Sequence, residues 1–310
     1  MTMDITITEV ASRDGLQNET HPVSTEQKIE LIGRIAKAGM KRFEVTSFVS
    51  PRAVPALADA EEVVKGVPDR ESLVIEALVP NLRGAERAAA LGLDEWVCFA
   101  SASESHSQAN SNTSTGEALA RLQPVIDLAK QEGVVPVGAI ATSFGCPFEG
   151  DVPVERVVEV ARRMTGMGVE TIKLGDTIGT AWPARVRELV RAMRAALPET
   201  TLVLHLHNTR DMSLANVLTG ISEGVDRYES ALAGVGGCPF APGATGNIST
   251  EDLVHFLHLE GHKTGLDLSK LIEAGHWFET VLERKLPAHL LRAKPVGETV
   301  ELASTRRAAG

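Results

Sequence analysis

TLVLHLHNT, residues 201–209, reads as an apolar strand until its last third, where two histidines stand two positions apart. Side chains alternate faces along a strand, so His205 and His207 share one face while Leu204, Leu206 and Asn208 take the other. An isolated His-x-His pair is more often a pair of hydrogen-bonded core histidines than a pair of ligands. Position within the fold decides between the two.

Short apolar runs of the same kind recur along the chain at residues 5–10, 42–46, 73–79, 95–100, 135–143, 169–175 and 227–234, making eight candidate strands with 201–207. Amphipathic stretches lie between them. STEQKIELIGRIAKAG is one, with Ser24 placed to cap its start and Gly39 its end. VPVERVVEVARRMTGMG and PARVRELVRAMRAALP read the same way. Eight strand–helix units in roughly 240 residues fit a closed parallel (β/α)8 TIM barrel better than an open doubly wound sheet of five or six strands. The expected organisation is a single α/β domain over 1–310, with the barrel at about 4–250 and extra C-terminal helices at about 250–295.

Bulk properties narrow the function. Lys and Arg total 31 against 41 Asp and Glu, a formal charge of −10, which argues against a nucleic-acid partner. No basic leader precedes an apolar segment and no run of about 18 apolar residues occurs, so the expectation is a soluble protein with no membrane partner. Cys98, Cys146 and Cys238 are odd in number and widely spaced, which suits a reducing cytoplasm better than a disulfide framework. A homodimer is the default expectation for oligomeric state.

In a barrel, chemistry gathers at the carboxyl ends of the strands. Arg13 and Asp14 follow strand 1, Glu44 lies in strand 2, Asp176 ends strand 6, and the two histidines end strand 7. Strands 1, 7 and 8 are neighbours in a closed barrel, so Asp14 can join His205 and His207, with Asn247 adding an amide oxygen. This oxygen-rich set without thiolate favours Mg2+ or Mn2+. Strand-end position and the matching carboxylate turn the reading of the histidines towards a metal site.

Other residues keep two readings. Arg13 fits either an ion pair with Glu44 or the stabilisation of negative charge on a substrate oxygen. Glu44 and Asp176 suit the orientation of ligands and of Arg13. Cys238, behind Gly234, Gly236 and Gly237, is placed as a proton donor or nucleophile rather than as an inert core thiol. The segment GVGGCPFAPGATG lacks the spacing of a dinucleotide fingerprint or a P-loop. Arg284, Lys285, Arg292 and Lys294 suit either the phosphates of a coenzyme or a solvated helix face.

Taken in order, EVASRDGLQNE, FEVTSFVSPRAVPALAD, GDTIG, HLHNT and AGVGGCPFAPGATGNISTEDL resemble the 3-hydroxy-3-methylglutaryl-CoA lyase family over about residues 4–285. The resemblance implies a metal-dependent TIM barrel that splits an acyl-CoA thioester into acetyl-CoA and acetoacetate. It implies Asp14, His205, His207 and Asn247 as metal ligands, Arg13 as the stabiliser of the acetyl-CoA enolate and Cys238 as a mobile-loop thiol that helps to protonate it. Glu44, Asp176 and Glu251 match residues that support the site, and Gln17 a substrate-contacting loop. Where these lyases read His-Asp-Thr-Tyr-Gly-Gln, this chain reads HNTRDM, so Asn208 removes a charge near the metal and Arg210 becomes a candidate specificity residue of the acyl pocket. Citramalyl, methylmalyl and 3-substituted 3-hydroxyglutaryl thioesters are the alternative substrates, an acetyl-CoA-condensing synthase the alternative reaction, and an acyl-CoA-binding barrel the non-enzymatic alternative. The position of Cys238 generates a test: Cys238→Ser should lower turnover by a large factor with metal affinity intact, and unchanged turnover would return it to a structural role.

Overall fold

The structure, a computed structural model, describes residues 2–237 and 246–299. Eight parallel strands, β1 (Thr6–Glu9), β2 (Arg42–Ser47), β3 (Val74–Leu78), β4 (Glu95–Ser101), β5 (Val135–Ala141), β6 (Thr171–Gly175), β7 (Thr201–His205) and β8 (Arg227–Ser230), pair in sequence order. Closure comes from β1 on β8, with Ile7 opposite Tyr228 and Glu9 opposite Ser230. This is the expected (β/α)8 barrel, and all eight strands fall where the apolar runs place them. Their near-continuous burial explains why they read as apolar blocks rather than as alternating patterns.

The carboxyl ends differ from the expectation by more than one residue in three strands. β5 stops at Ala141 because Thr142 turns into the left-handed region, at φ 56°. β7 stops at His205, and His207 lies beyond it in an isolated bridge to Asn247. β8 stops at Ser230 and runs into a tight turn at Leu232–Gly234.

The helix between β1 and β2, Thr25–Lys37, starts on a capping box in which Ser24 and Gln27 satisfy each other's backbone groups. Gly39, at φ 104°, reverses the chain after it, and a Cβ there would lie 2.5 Å from the Gly265 carbonyl. The last helices, Thr250–Leu259 and Leu268–Val281, cover the β8–β1 side. The Arg34 guanidinium sits 4.5 Å from the centre of the Trp277 ring, joining the first and last layers. Among the described residues no helix is long and apolar enough to cross a membrane.

Two buried carboxylates hold the turn after β8, one from β1 and one from the helix Thr250–Leu259. Glu9 accepts from the Ala11 and Leu232 amides at 2.9 and 2.8 Å and from the Thr250 hydroxyl at 2.7 Å. Both oxygens of Glu251 accept from the Ala233 amide, holding a residue whose φ is 58°. Burial pushes the Glu9 carboxyl up to about 7, against the hydrogen bonds that favour its charge. The folded protein therefore keeps a proton that the unfolded chain releases above about pH 4.5. Stability contributed in acid is lost as pH rises towards 7, by an amount on the order of 3 kcal/mol. Glu9→Gln should flatten the fall in thermal stability between pH 5 and 7, and an unaltered slope in a thermal melt series would contradict this.

Candidate active site

Between β1 and the first long helix the backbone makes a single π-helical turn, Ala11–Gly15, in which the Gly15 amide bonds to the Val10 carbonyl at 3.1 Å. The extra residue in this turn brings Arg13 and Asp14 to the barrel mouth. Gly15 has no room for a side chain, since a Cβ would lie 2.5 Å from Val235 Cγ2. The turn is thus packed against the root of the loop after β8.

Asp14, His205 and His207 converge there as expected. The two Nε2 atoms lie 3.0 Å apart, and Asp14 Oδ2 lies 4.0 Å from that of His205 and 3.7 Å from that of His207. Asn247 donates to Asp14 Oδ2 at 2.8 Å and to the Val235 carbonyl at 3.1 Å, while its buried Oδ1 has no hydrogen-bond partner among the described residues. Gly236, at φ 123°, makes this approach possible, because a Cβ would lie 2.6 Å from Asn247 Nδ2.

Electrostatics prepare the group for a cation. Burial works to raise the Asp14 carboxyl, but Arg13 and the two histidines outweigh it and hold the group well below the usual carboxylate range. His205 Nδ1 pairs with Glu229 Oε2 at 2.8 Å, which orients the ring and leaves Nε2 facing Asp14. Arg13 Nη1 bonds Asp14 Oδ1 at 2.7 Å and its Nε meets Glu44 Oε1 at 2.5 Å. In the lumen, Arg13 and Lys173 face Asp14, Glu44 and Glu229, two cations against three carboxyls, while burial pushes the Glu76 carboxyl beside Lys173 up to about 7. Two imidazoles, an ionised carboxylate, an unsatisfied amide oxygen and surplus negative charge fit a divalent ion with oxygen and nitrogen ligands.

These groups line one side of a cavity of about 460 Å3 that opens at the carboxyl ends of the strands. Leu78, Val97, Phe99 and Ala139 form an apolar wall across the lumen. Gln17 lies at the rim, and Asn18 ties this loop to the Gly237 carbonyl at 2.8 Å. Cys238 falls outside the described residues.

Asp176 and Glu251 stand behind the cavity. Asp176 Oδ1 accepts from the Thr180 and Ala181 amides at 2.7 and 3.1 Å, and its backbone amide bonds the His205 carbonyl, so it sets the β6 loop against β7. Burial raises its carboxyl above the ordinary range.

The HNTRDM segment is tied into the neighbouring loops. Arg210 Nη1 donates to the Ile178 and Gly179 carbonyls at 2.8 and 2.9 Å, and Arg210 is not among the cavity-lining residues. Asn208 bonds Asp211 at 3.0 Å and receives the Ser213 amide at 3.3 Å, so it shapes the start of the helix Ser213–Ser222. Both side chains serve the loops around β6 and β7. The late basic residues are likewise engaged at home: Arg284 with Glu19, and Lys285 and Arg292 with Glu279. Burial pushes the Cys98 thiol up to about 12, in keeping with an inert core cysteine.

Sequence reading missed Lys173, Glu76 and Glu229. Glu229 lies in RYES, a strand whose sequence is already polar, whereas Lys173 and Glu76 are each a charged residue in the middle of a short apolar strand, TIKLG and VIEAL. That signal is the one that singled out His205.

A barrel with its polar groups gathered at the strand ends around a divalent-cation donor set defines the class: an α/β-barrel enzyme whose site is built from the turns after β1, β7 and β8. The chain belongs to the HMGL-like family, whose model matches residues 4–277. It is 41% identical over 288 residues to the hydroxymethylglutaryl-CoA lyase of Bacillus subtilis, covering 93% of this chain and 96% of that protein. It is 40% identical over 289 residues to the human mitochondrial hydroxymethylglutaryl-CoA lyase, covering 93% and 89%. Among solved structures, an HMG-CoA lyase from Acinetobacter baumannii in complex with coenzyme A and 3-methylmalate superposes with a TM-score of 0.92 at 37% identity, over 97% of this chain and 98% of that one. The carboxyl transferase domain of Rhizobium etli pyruvate carboxylase, at 17% identity and a TM-score of 0.71, shares the fold.

Proposed function

We propose that this protein is a carbon–carbon lyase that cleaves 3-hydroxy-3-methylglutaryl-CoA to acetyl-CoA and acetoacetate. The observation that carries the reading is the Asp14, His205 and His207 cluster beside Arg13, in a chain about 40% identical to lyases of that substrate over nearly its full length.

Asp14, His205, His207 and Asn247 would hold a divalent ion, Mg2+ or Mn2+ by the hardness of the oxygen donors. When bound, such an ion supplies Lewis-acid polarisation of a substrate oxygen and fixed orientation of the reacting groups. The chain's own residues move the protons and stabilise the charge. In the cleavage the tertiary hydroxyl gives up its proton, its C–O bond becomes the ketone of acetoacetate, and the electrons of the broken C–C bond pass to the thioester as an enolate. Glu229 Oε2 orients His205 through Nδ1 at 2.8 Å so that its Nε2 would meet the ion, and Asp14 beside it is placed to pass the hydroxyl proton onward. Arg13, held from one side by Glu44 and from the other by Asp14, meets the developing enolate oxygen. Cys238 returns a proton to the enolate carbon, which completes acetyl-CoA. Gln17 at the rim lies where the thioester enters. Cytoplasmic location suits the unpaired Cys98 and Cys146.

A second reading, a related 3-hydroxyacyl-CoA with a larger C3 substituent, is favoured by the wall of Leu78, Val97, Phe99 and Ala139, which has room for hydrocarbon. A coupled assay with Mg2+ or Mn2+ separates the two by acetyl-CoA release from 3-hydroxy-3-methylglutaryl-CoA against citramalyl-CoA and longer 3-substituted thioesters. Strong preference for the first is expected, and weak activity there with good turnover of a larger thioester would favour the second reading. In the same assay His205→Ala should lose most activity, by roughly 100-fold or more, and bind metal more weakly. Near wild-type turnover of the reconstituted variant would refute its role.

A further inference from the structure

We propose that Lys173 is a positioning residue of this site, a resident cation that holds Glu44 and Glu229 in the orientations that aim Arg13 and His205 into the cavity. The inference rests on the lyase reading for its kinetic part and on geometry for the rest.

Lys173 enters the lumen from β6, and its ammonium lies 3.3 Å from Glu44 Oε2, 2.9 Å from Glu76 Oε2 and 2.5 Å from Glu229 Oε1. These three carboxylates come from β2, β3 and β8, all are buried, and their oxygens lie within 4.8 Å of one another. That spacing suits a metal ion, and the ammonium fills it. Two of the three then pass the constraint outward through their second oxygen. Glu44 Oε1 meets Arg13 Nε at 2.5 Å, and Glu229 Oε2 meets His205 Nδ1 at 2.8 Å. A carboxylate is planar, so anchoring one oxygen fixes the direction of the other. One ammonium therefore sets both the arginine and the histidine, each of which lines the cavity.

Glu76 provides the internal control. It is as buried as Glu44 and touches the same ammonium, but among the described residues no ion pair joins it to Arg13 or His205. If Lys173 merely balanced charge, Glu76 and Lys173 would matter alike. If it positions the site, they would not.

The test compares Lys173→Met with Glu76→Gln in the full chain, by Mn2+ affinity from electron paramagnetic resonance and by kcat and KM for the thioester. Loss of Lys173 should weaken Mn2+ binding and lower kcat by about 10- to 100-fold each, with KM little changed, whereas Glu76→Gln should stay within about threefold of wild type. If circular dichroism shows Lys173→Met unfolded, the charge-balanced Lys173→Gln/Glu76→Gln variant carries the same expectation. Wild-type Mn2+ affinity in the Lys173 variant, or an equal loss in Glu76→Gln, would overturn the proposal. A wild-type protein inactive on the thioester, with the Mn2+ contrast between the two variants intact, would remove the lyase reading and leave the positioning role standing.

Discussion

Closing eight short strands encloses a lumen whose contents must be packed or paired, because an uncompensated charge there is severely unfavourable. Most barrels meet this constraint with branched hydrocarbon in layers. Here one layer is ionic: Lys173 on β6 reaches Glu44, Glu76 and Glu229 across the barrel, with Arg13 and His205 bonded to the outer edge of the same cluster. Burial acts to lower the Lys173 ammonium, but the three glutamates outweigh it and hold the group protonated. Burial likewise works to raise Glu229, and Lys173 and His205 together keep it ionised, below its ordinary range. Removing one partner from such a buried set typically costs about 3–5 kcal/mol, so the ions also specify which side chains belong together.

The mouth of the barrel inherits its geometry from this layer and from the buried carboxylates behind it. Glu9 links the turn after β1, the turn after β8 and Thr250, while Glu251 holds Ala233. Between these anchors the π-helical turn presents Arg13 and Asp14, and Gly236 lets Asn247 close on Asp14. The donor set is thus assembled from turns that are individually short and irregular but are fixed from below. Preorganisation of this kind is what a site needs if charge developing on a substrate is to meet groups that do not have to move.

Much of this was legible in the sequence, for physical reasons that differ by residue. Strands buried on both faces stand out as apolar blocks, so the barrel could be read, and His205 was conspicuous because an imidazole interrupts such a block. Lys173 and Glu76 interrupt theirs in the same way, while Glu229 lies in the polar strand RYES, yet a single charged residue in a strand suggests an ion pair without naming its partner, and these partners lie up to 129 residues apart. The π-helical turn has no signature in ASRDG. Position after the strand that carries the histidines suggests the pocket for Arg210, and in the structure local backbone acceptors and a helix start engage Arg210 and Asn208.

The central claim is that Asp14, His205 and His207 form one cation site at the mouth of the barrel. Pulsed electron paramagnetic resonance of the Mn2+-loaded protein tests it directly. The account predicts coupling of the ion to two imidazole nitrogens, reduced to one in His207→Asn. Stoichiometric Mn2+ with no imidazole coupling would place the cation elsewhere and contradict the account.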